Sequence, residues 1–341
     1  MQLPYVPTAQ ELLDKAFRRA RKAQSSVTLK NAPLETLARV REITRLNTIQ
    51  HVVDSTLSQV VKGFPSMEKL HPFYFELINL LVGVDKLKHS LGAVDWARKT
   101  IIRLVKEYTR KLKKLKKTGE MEKARKEAYG RIASVLKKVK EDLDFLKESA
   151  KKLSKLPDVD PEAPTIVVAG YANVGKSSFV RRVSTAEPKI APYPFTTREI
   201  VIGHWEDQDV GVKVQIIDTP GLLDRPLSKR NKVELQAILA LKHLADVIVF
   251  ILDPSETCSY PFDKQLNLLY EIERMFLDTP ILTVINKIDV CPPDKLEKSI
   301  LKLGEREVLK MSALTGEGVK EVFNKALEIL REAGRLSLAE S

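Results

Sequence analysis

Gly170-Tyr171-Ala172-Asn173-Val174-Gly175-Lys176-Ser177 is the stretch that decides the fold. It has the spacing G-x-x-x-x-G-K-[ST]. It follows the apolar run Thr165 to Ala169 and opens a helical pattern at Lys176, the setting in which a glycine-rich loop cradles phosphates. Gly170 and Gly175 let the backbone curl. The loop amides, Val174 among them, and the helix N-terminus then supply positive potential. Lys176 is expected to reach the β and γ phosphates and Ser177 to ligate Mg²⁺, with Ser178 beside it at the nucleotide. The plain alternative is a glycine turn before an ordinary helix. The strand before the loop and the helix after it weigh against that.

Downstream of the loop, short β-rich runs alternate with helical segments. The runs are Thr165 to Ala169, Glu199 to Trp205, Val212 to Ile217, Val247 to Leu252, Ile281 to Ile285 and Glu307 to Lys310. Helices are expected to begin near Lys176, Arg230, Phe262, Pro293 and Gly318. This alternation predicts an α/β domain over residues 165–341, a mostly parallel sheet with helices on both faces. Ligands of such sheets sit beyond the carboxyl ends of the strands.

Three further motifs lie at those strand ends. In Asp218-Thr219-Pro220-Gly221, Asp218 is placed to hold the Mg²⁺ shell through water, and the Gly221 N–H can meet a γ-phosphate. In Asn286-Lys287-Ile288-Asp289, the Asp289 carboxylate can accept from guanine N1–H and the 2-amino group together. Adenine lacks that donor pair and would leave the charge unpaired. Asn286 is expected to tie the base to the phosphate loop, and the Lys287 stem to lie over the ring. In Ser312-Ala313-Leu314, the Ala313 N–H can donate to guanine O6. Each short motif alone is weak, since N-K-x-D often forms a solvated turn. Four in order, each at a strand end, resemble the translation-factor-related P-loop GTPases and imply GTP and GDP as ligands. A threonine between the first helix and the second strand should cap Mg²⁺ and γ-phosphate. Thr197 is the choice and Thr196 the alternative. The loop from Glu187 to Arg198 is the expected first switch, and Asp218 to about Lys232 the second.

Catalysis needs a group that orients the attacking water, and the position after D-x-x-G often carries glutamine. Here it is Leu222, followed by Leu223, so intrinsic turnover should be slow or depend on another group. Asn173 matches an asparagine of potassium-activated GTPases such as the Era, TrmE and Obg families. That resemblance implies a K⁺ near the α and γ phosphates. The alternative is that Asn173 only shapes the loop. Lys176, Thr197, Gly221 and Asn173 are the catalytic candidates.

Residues 1–156 read as an all-α helical bundle, and residues 157–164, with Pro157, Pro161 and Pro164, as a joint. Thr8-Ala9-Gln10-Glu11 fits a capping box, and Leu12, Leu13, Ala16, Phe17 and Ala20 follow at helical spacing. Further stripes run through Leu37, Val40, Ile43 and Leu46, through Phe75, Ile78 and Leu81, and through Val94, Ile101, Leu104 and Tyr108. One long helix is expected from about Glu120 to Leu153. No stretch approaches the ~18 apolar residues of a membrane span, and no membrane partner is expected. Cys258 and Cys291 are isolated, and the five histidines show no metal spacing. An intracellular, cytoplasmic setting is the expectation.

The net charge of +12 is uneven: residues 1–160 hold 34 Lys and Arg against 19 Asp and Glu, or +15, and the remainder is −3. Lys111, Lys113, Lys114, Lys116 and Lys117 crowd one short stretch without an acid. A solvated helical face is the plain reading. A phosphate-backbone contact through Lys113, Lys114, Lys116 and Lys117 is the favoured one.

Finer features resemble one family of the Obg-related branch, the Nog (nucleolar G-protein) GTPases, in the shorter archaeal-type form. They are His71-Pro72-Phe73-Tyr74 with Leu77-Ile78-Asn79, Leu156-Pro157 and Asp160-Pro161, and Leu222-Leu223-Asp224-Arg225-Pro226 with Arg230-Asn231 and Glu234. The resemblance implies work in maturation of the large ribosomal subunit, with the helical domain on rRNA and a ribosomal or protein activator as one source of turnover. The other class left open is a housekeeping or signalling GTPase whose helical domain binds a protein.

Overall fold

Thr8 starts the first helix. Its hydroxyl accepts the Glu11 N–H at 3.2 Å, and the Glu11 carboxylate accepts the Thr8 N–H at 2.8 Å, the reciprocal cap expected from the sequence. The computed structural model describes residues 3–29, 32–194, 199–206 and 211–336. Its helices are α1 (Ala9–Ser25), α2 (Leu34–Gly63), α3 (Pro72–Val82), α4 (Val84–Lys114), α5 (Thr118–Lys138) and α6 (Lys140–Leu153). α2 packs on α1, α4 and α5, and α4 also packs on α5 and α6. Leu12, Leu46, Ile49, Leu57, Leu87, Ile101, Leu112 and Leu146 are fully buried and form the core of this bundle. No described helix is long and apolar enough to cross a membrane.

The long helix expected from Glu120 to Leu153 is two helices. Val139 leaves the helical basin at φ −102°, ψ 19°, and its N–H turns to Lys137 O. Neither glycine nor proline marks the break. Each helix keeps its own buried stripe, Met121, Ala124, Ala128 and Ile132 in α5 and Leu143, Leu146 and Leu153 in α6. Either stripe reads as part of one period, so the break is silent in the sequence.

The chain divides into two compact units, and residues 71–80 do not go with the bundle. One unit runs to Leu70 and resumes over Leu81–Ser154; the other joins His71–Leu80 to the chain from Lys155 onward. The reason lies in two aromatic side chains of α3. The Tyr74 hydroxyl accepts the Val159 N–H at 3.1 Å and donates to Val159 O at 2.7 Å. Phe73 is fully buried, with its ring 6.4 Å from that of Tyr193. The prolines keep the joint out of regular structure, and side chains hold it instead. Gln215 accepts the Asp160 N–H at 3.0 Å and donates to Asp160 O at 2.5 Å.

The second unit is built on a seven-stranded sheet: β1 (Thr165–Ala169), β2 (Lys189–Pro192), β3 (Glu199–Glu206), β4 (Lys213–Asp218), β5 (Val247–Leu252), β6 (Ile281–Ile285) and β7 (Val308–Lys310), in the order β2-β3-β4-β1-β5-β6-β7. β4, β1, β5, β6 and β7 are parallel to one another; at one edge β3 runs antiparallel to β4, and β2 pairs antiparallel with β3. Every residue of β1 and β5 is buried, as strands covered on both faces require. The sequence expects six strands at nearly these bounds. It misses β2, whose Lys189 and Ile190 are exposed and which occupies part of the expected first switch. The helices α7 (Lys176–Val183), α8 (Lys232–Leu241), α9 (Phe262–Met275), α10 (Pro293–Leu303) and α11 (Val319–Glu332) complete the unit. β1 lies between β4 and β5, so the loop after it opens where strand order reverses, the usual crevice of such sheets.

Candidate nucleotide-binding site

The loop between β1 and α7 has room for glycine alone at two points. Gly170 stands at φ +130°, and a Cβ there would lie 2.3 Å from Ile251 O. Gly175 stands at φ +105°, where a Cβ would lie 2.1 Å from Asn286 Nδ2. Asn173 is exposed and left-handed at φ 63°, a conformation that asparagine tolerates better than most residues. Lys176 opens α7 and is buried. Its ammonium spans the loop, donating to Gly170 O at 2.8 Å and Tyr171 O at 2.7 Å. Ser178 follows on α7, exposed.

The carboxylate expected beside a cation closes the second side. Asp218 ends β4 and is fully buried. Ser177 Oγ donates to its Oδ2 at 2.5 Å, while its buried Oδ1 has no hydrogen-bond partner among the described residues. Burial raises the Asp218 carboxyl above the usual carboxylate range, with the Lys176 ammonium pulling the other way. A buried carboxylate oxygen without a partner next to a serine hydroxyl fits the shell of a hard, oxygen-seeking cation such as Mg²⁺. Thr196 and Thr197, the expected cap on that ion, lie outside the described residues.

After Asp218 the chain turns back on itself. Gly221 is left-handed at φ 80°, and its N–H donates to Asp224 Oδ2 at 2.8 Å. Leu222 and Leu223 are both fully buried. Leu223 O accepts the Gly170 N–H at 3.1 Å, which ties this turn to the phosphate loop. The residue after Gly221 therefore packs into the core, and its side chain cannot approach a water molecule in the crevice.

The base-side motifs meet through Asn286. Its Nδ2 donates to Val174 O at 2.7 Å, and its Oδ1 accepts the Ala313 N–H at 2.8 Å. The Ala313 amide expected to face guanine O6 is thus engaged by Asn286, and a base must share or replace that bond. Lys287, left-handed at φ 64°, has its ammonium fixed by Asp253 Oδ2 at 2.8 Å and Thr257 Oγ1 at 2.9 Å, which holds its aliphatic stem in place. Ser312 is fully buried, and its hydroxyl accepts the Thr315 N–H at 3.1 Å. Asp289 and Leu314 are exposed at the rim.

Residues 1–160 match the profile of the NOG1 N-terminal helical domain, and residues 232–289 match that of nucleolar GTP-binding protein 1 (NOG1). An uncharacterized protein of Methanocaldococcus jannaschii is 40% identical over 296 residues, which is 87% of this chain and 82% of that protein. The chain belongs to the NOG1 family. Nucleolar GTP-binding protein 1 of Drosophila melanogaster is 34% identical over 332 residues, 95% of this chain and 50% of that one. The protein of that name from Arabidopsis thaliana is 33% identical over 347 residues, 96% of this chain and 51% of its own. The chain spans about half the length of these eukaryotic NOG1 relatives.

Several residues of this NOG1-family site carry no motif in the sequence. Arg182, on the helix that the phosphate loop opens, donates from Nε to Ala313 O at 3.1 Å and from its guanidinium to Leu314 O, holding the base-side loop. Asp253, fully buried at the end of β5, accepts from Lys287, Ser255 and the Cys258 N–H. Burial pushes its carboxyl up, but the bonds from Lys287 and Ser255 outweigh it and leave the group below the usual range. A signal existed for Asp253: an acid at a strand end followed by Pro254-Ser255 is an Asx-turn pattern. Arg182 had none, because an arginine in the last turn of a helix is unremarkable.

Proposed function

We propose that this chain hydrolyses GTP to GDP and phosphate and uses the reaction as a switch in assembly of the large ribosomal subunit, with its basic helical unit on rRNA. One observation carries the reading. Hydrogen bonds join the phosphate loop to Asp218 and to Asn286, the arrangement our guanine-nucleotide reading needs, in a chain whose basic excess lies outside the residues that build it. The charge points to a polyanionic partner for the helical unit. Lys113, Lys114, Lys116 and Lys117 are exposed at the end of α4 and in the turn to α5, and no ion pair reaches them among the described residues. Lys111 differs: it pairs with Glu127 at 3.0 Å.

In the reaction, the loop amides and Lys176 bind and orient the phosphates, and Ser177 and Asp218 hold Mg²⁺, with Thr197 as the third candidate. A cation held there would supply positive charge to offset the charge that develops on the transferred phosphoryl group. The bonds from Lys176 to Gly170 O and Tyr171 O use two of the three ammonium donors and fix it across the loop. Asp289 selects guanine at the rim, with Asn286, Lys287, Ser312, Ala313 and Leu314 around the base. No side chain at Leu222 can orient water, so turnover in isolation is slow. Asn173 with K⁺ is our proposed source of compensation in this chain, and a ribosomal activator the other. A cytoplasmic place is part of this reading, in keeping with two isolated cysteines.

The experiment is a sucrose gradient of cell lysate with the full chain loaded with GDP or with a non-hydrolysable GTP analogue. Migration with large-subunit particles in the triphosphate state, and release with GDP, is expected. A protein that stays at the top of the gradient in every state overturns the ribosomal reading in favour of a protein-binding GTPase.

A further inference from the structure

The Gly221 amide has a protein carboxylate on it. The Asp224 Oδ2 that accepts this N–H at 2.8 Å belongs to a residue only 8% exposed. A buried guanidinium secures the arrangement: Arg230 donates to Gly221 O and Leu222 O, each at 2.5 Å, and to Asp224 Oδ1 at 3.3 Å. The Arg230 side chain is 1% exposed and that of Asp224 8%. The turn is also anchored to the sheet, since the Thr219 hydroxyl donates to Val168 O at 2.9 Å and the Gly170 N–H to Leu223 O at 3.1 Å. Thus the amide that D-x-x-G geometry aims at a γ-phosphate is held by an anion of the chain itself.

We propose that Asp224 sets the preference of this chain between di- and triphosphate, by competing with the γ-phosphate for the Gly221 N–H. An amide hydrogen cannot serve two anions well, and two anions drawn to one donor repel each other. A triphosphate must therefore displace Asp224, which also loosens Arg230 from Gly221 and Leu222. A diphosphate makes no demand on this amide and leaves the clamp closed. Asp224 and Arg230 thus form an internal lock on the second switch, opened only by the γ-phosphate. The inference rests on the guanine-nucleotide reading above, because it takes the Gly221 amide as the γ-phosphate donor.

The test compares affinities for GDP and for guanosine 5′-(β,γ-imido)triphosphate by calorimetry, in the full-length wild type, Asp224→Ala and Asp224→Asn. Asp224→Ala should shift the ratio of the two affinities toward the triphosphate by about tenfold or more, with GDP binding nearly unchanged. Asp224→Asn keeps the shape but loses the charge and one of the two acceptor oxygens, so its single carbonyl serves Gly221 or Arg230 and not both; it should shift the ratio the same way by less. A general folding defect would weaken both nucleotides alike, which the ratio does not register. An unchanged ratio in Asp224→Asn and Asp224→Ala, with both nucleotides bound, overturns the lock alone. A wild type that binds neither nucleotide overturns the reading beneath it.

Discussion

Asn286 bonds to both sides of the site at once, donating to Val174 O of the phosphate loop at 2.7 Å and accepting the Ala313 N–H at 2.8 Å. It is 2% exposed, so its partners have no water to replace it. Asn286→Ala strands a buried carbonyl and a buried amide, each worth about 1–3 kcal/mol when unpaired. GDP and GTP affinity should both fall, by about tenfold to a hundredfold. Equal affinities for variant and wild type in calorimetry would mean that the two loops hold their geometry without this bridge.

Asp289 is exposed at the rim, where a base can reach it. Asp289→Asn replaces two acceptors with one acceptor and one donor, a pattern that suits xanthine better than guanine. GTP binding should be lost and XTP binding gained. Retention of wild-type GTP affinity places the guanine contact elsewhere.

Lys287 matters to stability as well as to the base. The Asp253 carboxyl it holds is fully buried, yet it titrates below the usual range because the Lys287 and Ser255 bonds outweigh burial. A lowered folded value means that this group contributes stability above its unfolded pKa of about 3.9, and that the contribution is lost as pH falls through the folded value. Lys287→Met removes the first of the bonds that oppose burial and moves the carboxyl upward, while Ser255 and the Cys258 N–H still hold it. The variant should lose about 3 kcal/mol near pH 7, the low end for a broken buried pair because Lys287 is 23% exposed. The deficit should shrink as pH falls toward the carboxylate range. Urea unfolding at both ends of that range reads it, and a constant deficit counts against the pairing.

The sequence revealed what depends on local pattern and missed what depends on distant partners. The phosphate loop, Asp218, Asn286 and five strand–helix repeats were legible because glycine spacing, strand-end motifs and periodicity are written in adjacent residues. The docking of residues 71–80 on the second unit was not, since a helical stripe says which face is buried but not against what. The break at Val139 was silent for lack of glycine or proline, and the short exposed strand β2, which ends on Pro192, for lack of alternation. Arg182 holds backbone carbonyls without any residue pattern to find, and Asp224 and Arg230, though part of the family resemblance, carry no spacing that foretells their bonds to Gly221 and Leu222.

Asn173 offers a choice between a cation ligand and a loop former. Its φ of 63° is a sufficient reason for asparagine by itself. Asn173→Gly keeps that conformation accessible and removes only the side chain, so it separates the roles. If a K⁺ offsets transition-state charge there, wild-type hydrolysis is faster in KCl than in NaCl at equal ionic strength, and the glycine variant shows no difference. Equal wild-type rates in the two salts leave the loop role alone and shift the search for compensation to an activator.

The four exposed lysines Lys113, Lys114, Lys116 and Lys117 carry the last prediction. Lysines this close repel one another and gain most from a polyanion. Each phosphate they neutralise releases counterions, so rRNA affinity should fall steeply between about 50 and 200 mM salt. Changing all four to Gln should weaken binding and reduce the salt slope by about one for each phosphate no longer neutralised, up to about four. The full chain is the right material, because residues 71–80 pack with the nucleotide unit and a cut at 160 would strip them of partners. GTP hydrolysis by the variant should match the wild type, since none of the four belongs to a nucleotide motif. Lys111→Gln should matter less, because Glu127 already neutralises that charge at 3.0 Å. A quadruple variant that co-sediments with large-subunit particles as the wild type does at every salt concentration would remove this face from the rRNA interface.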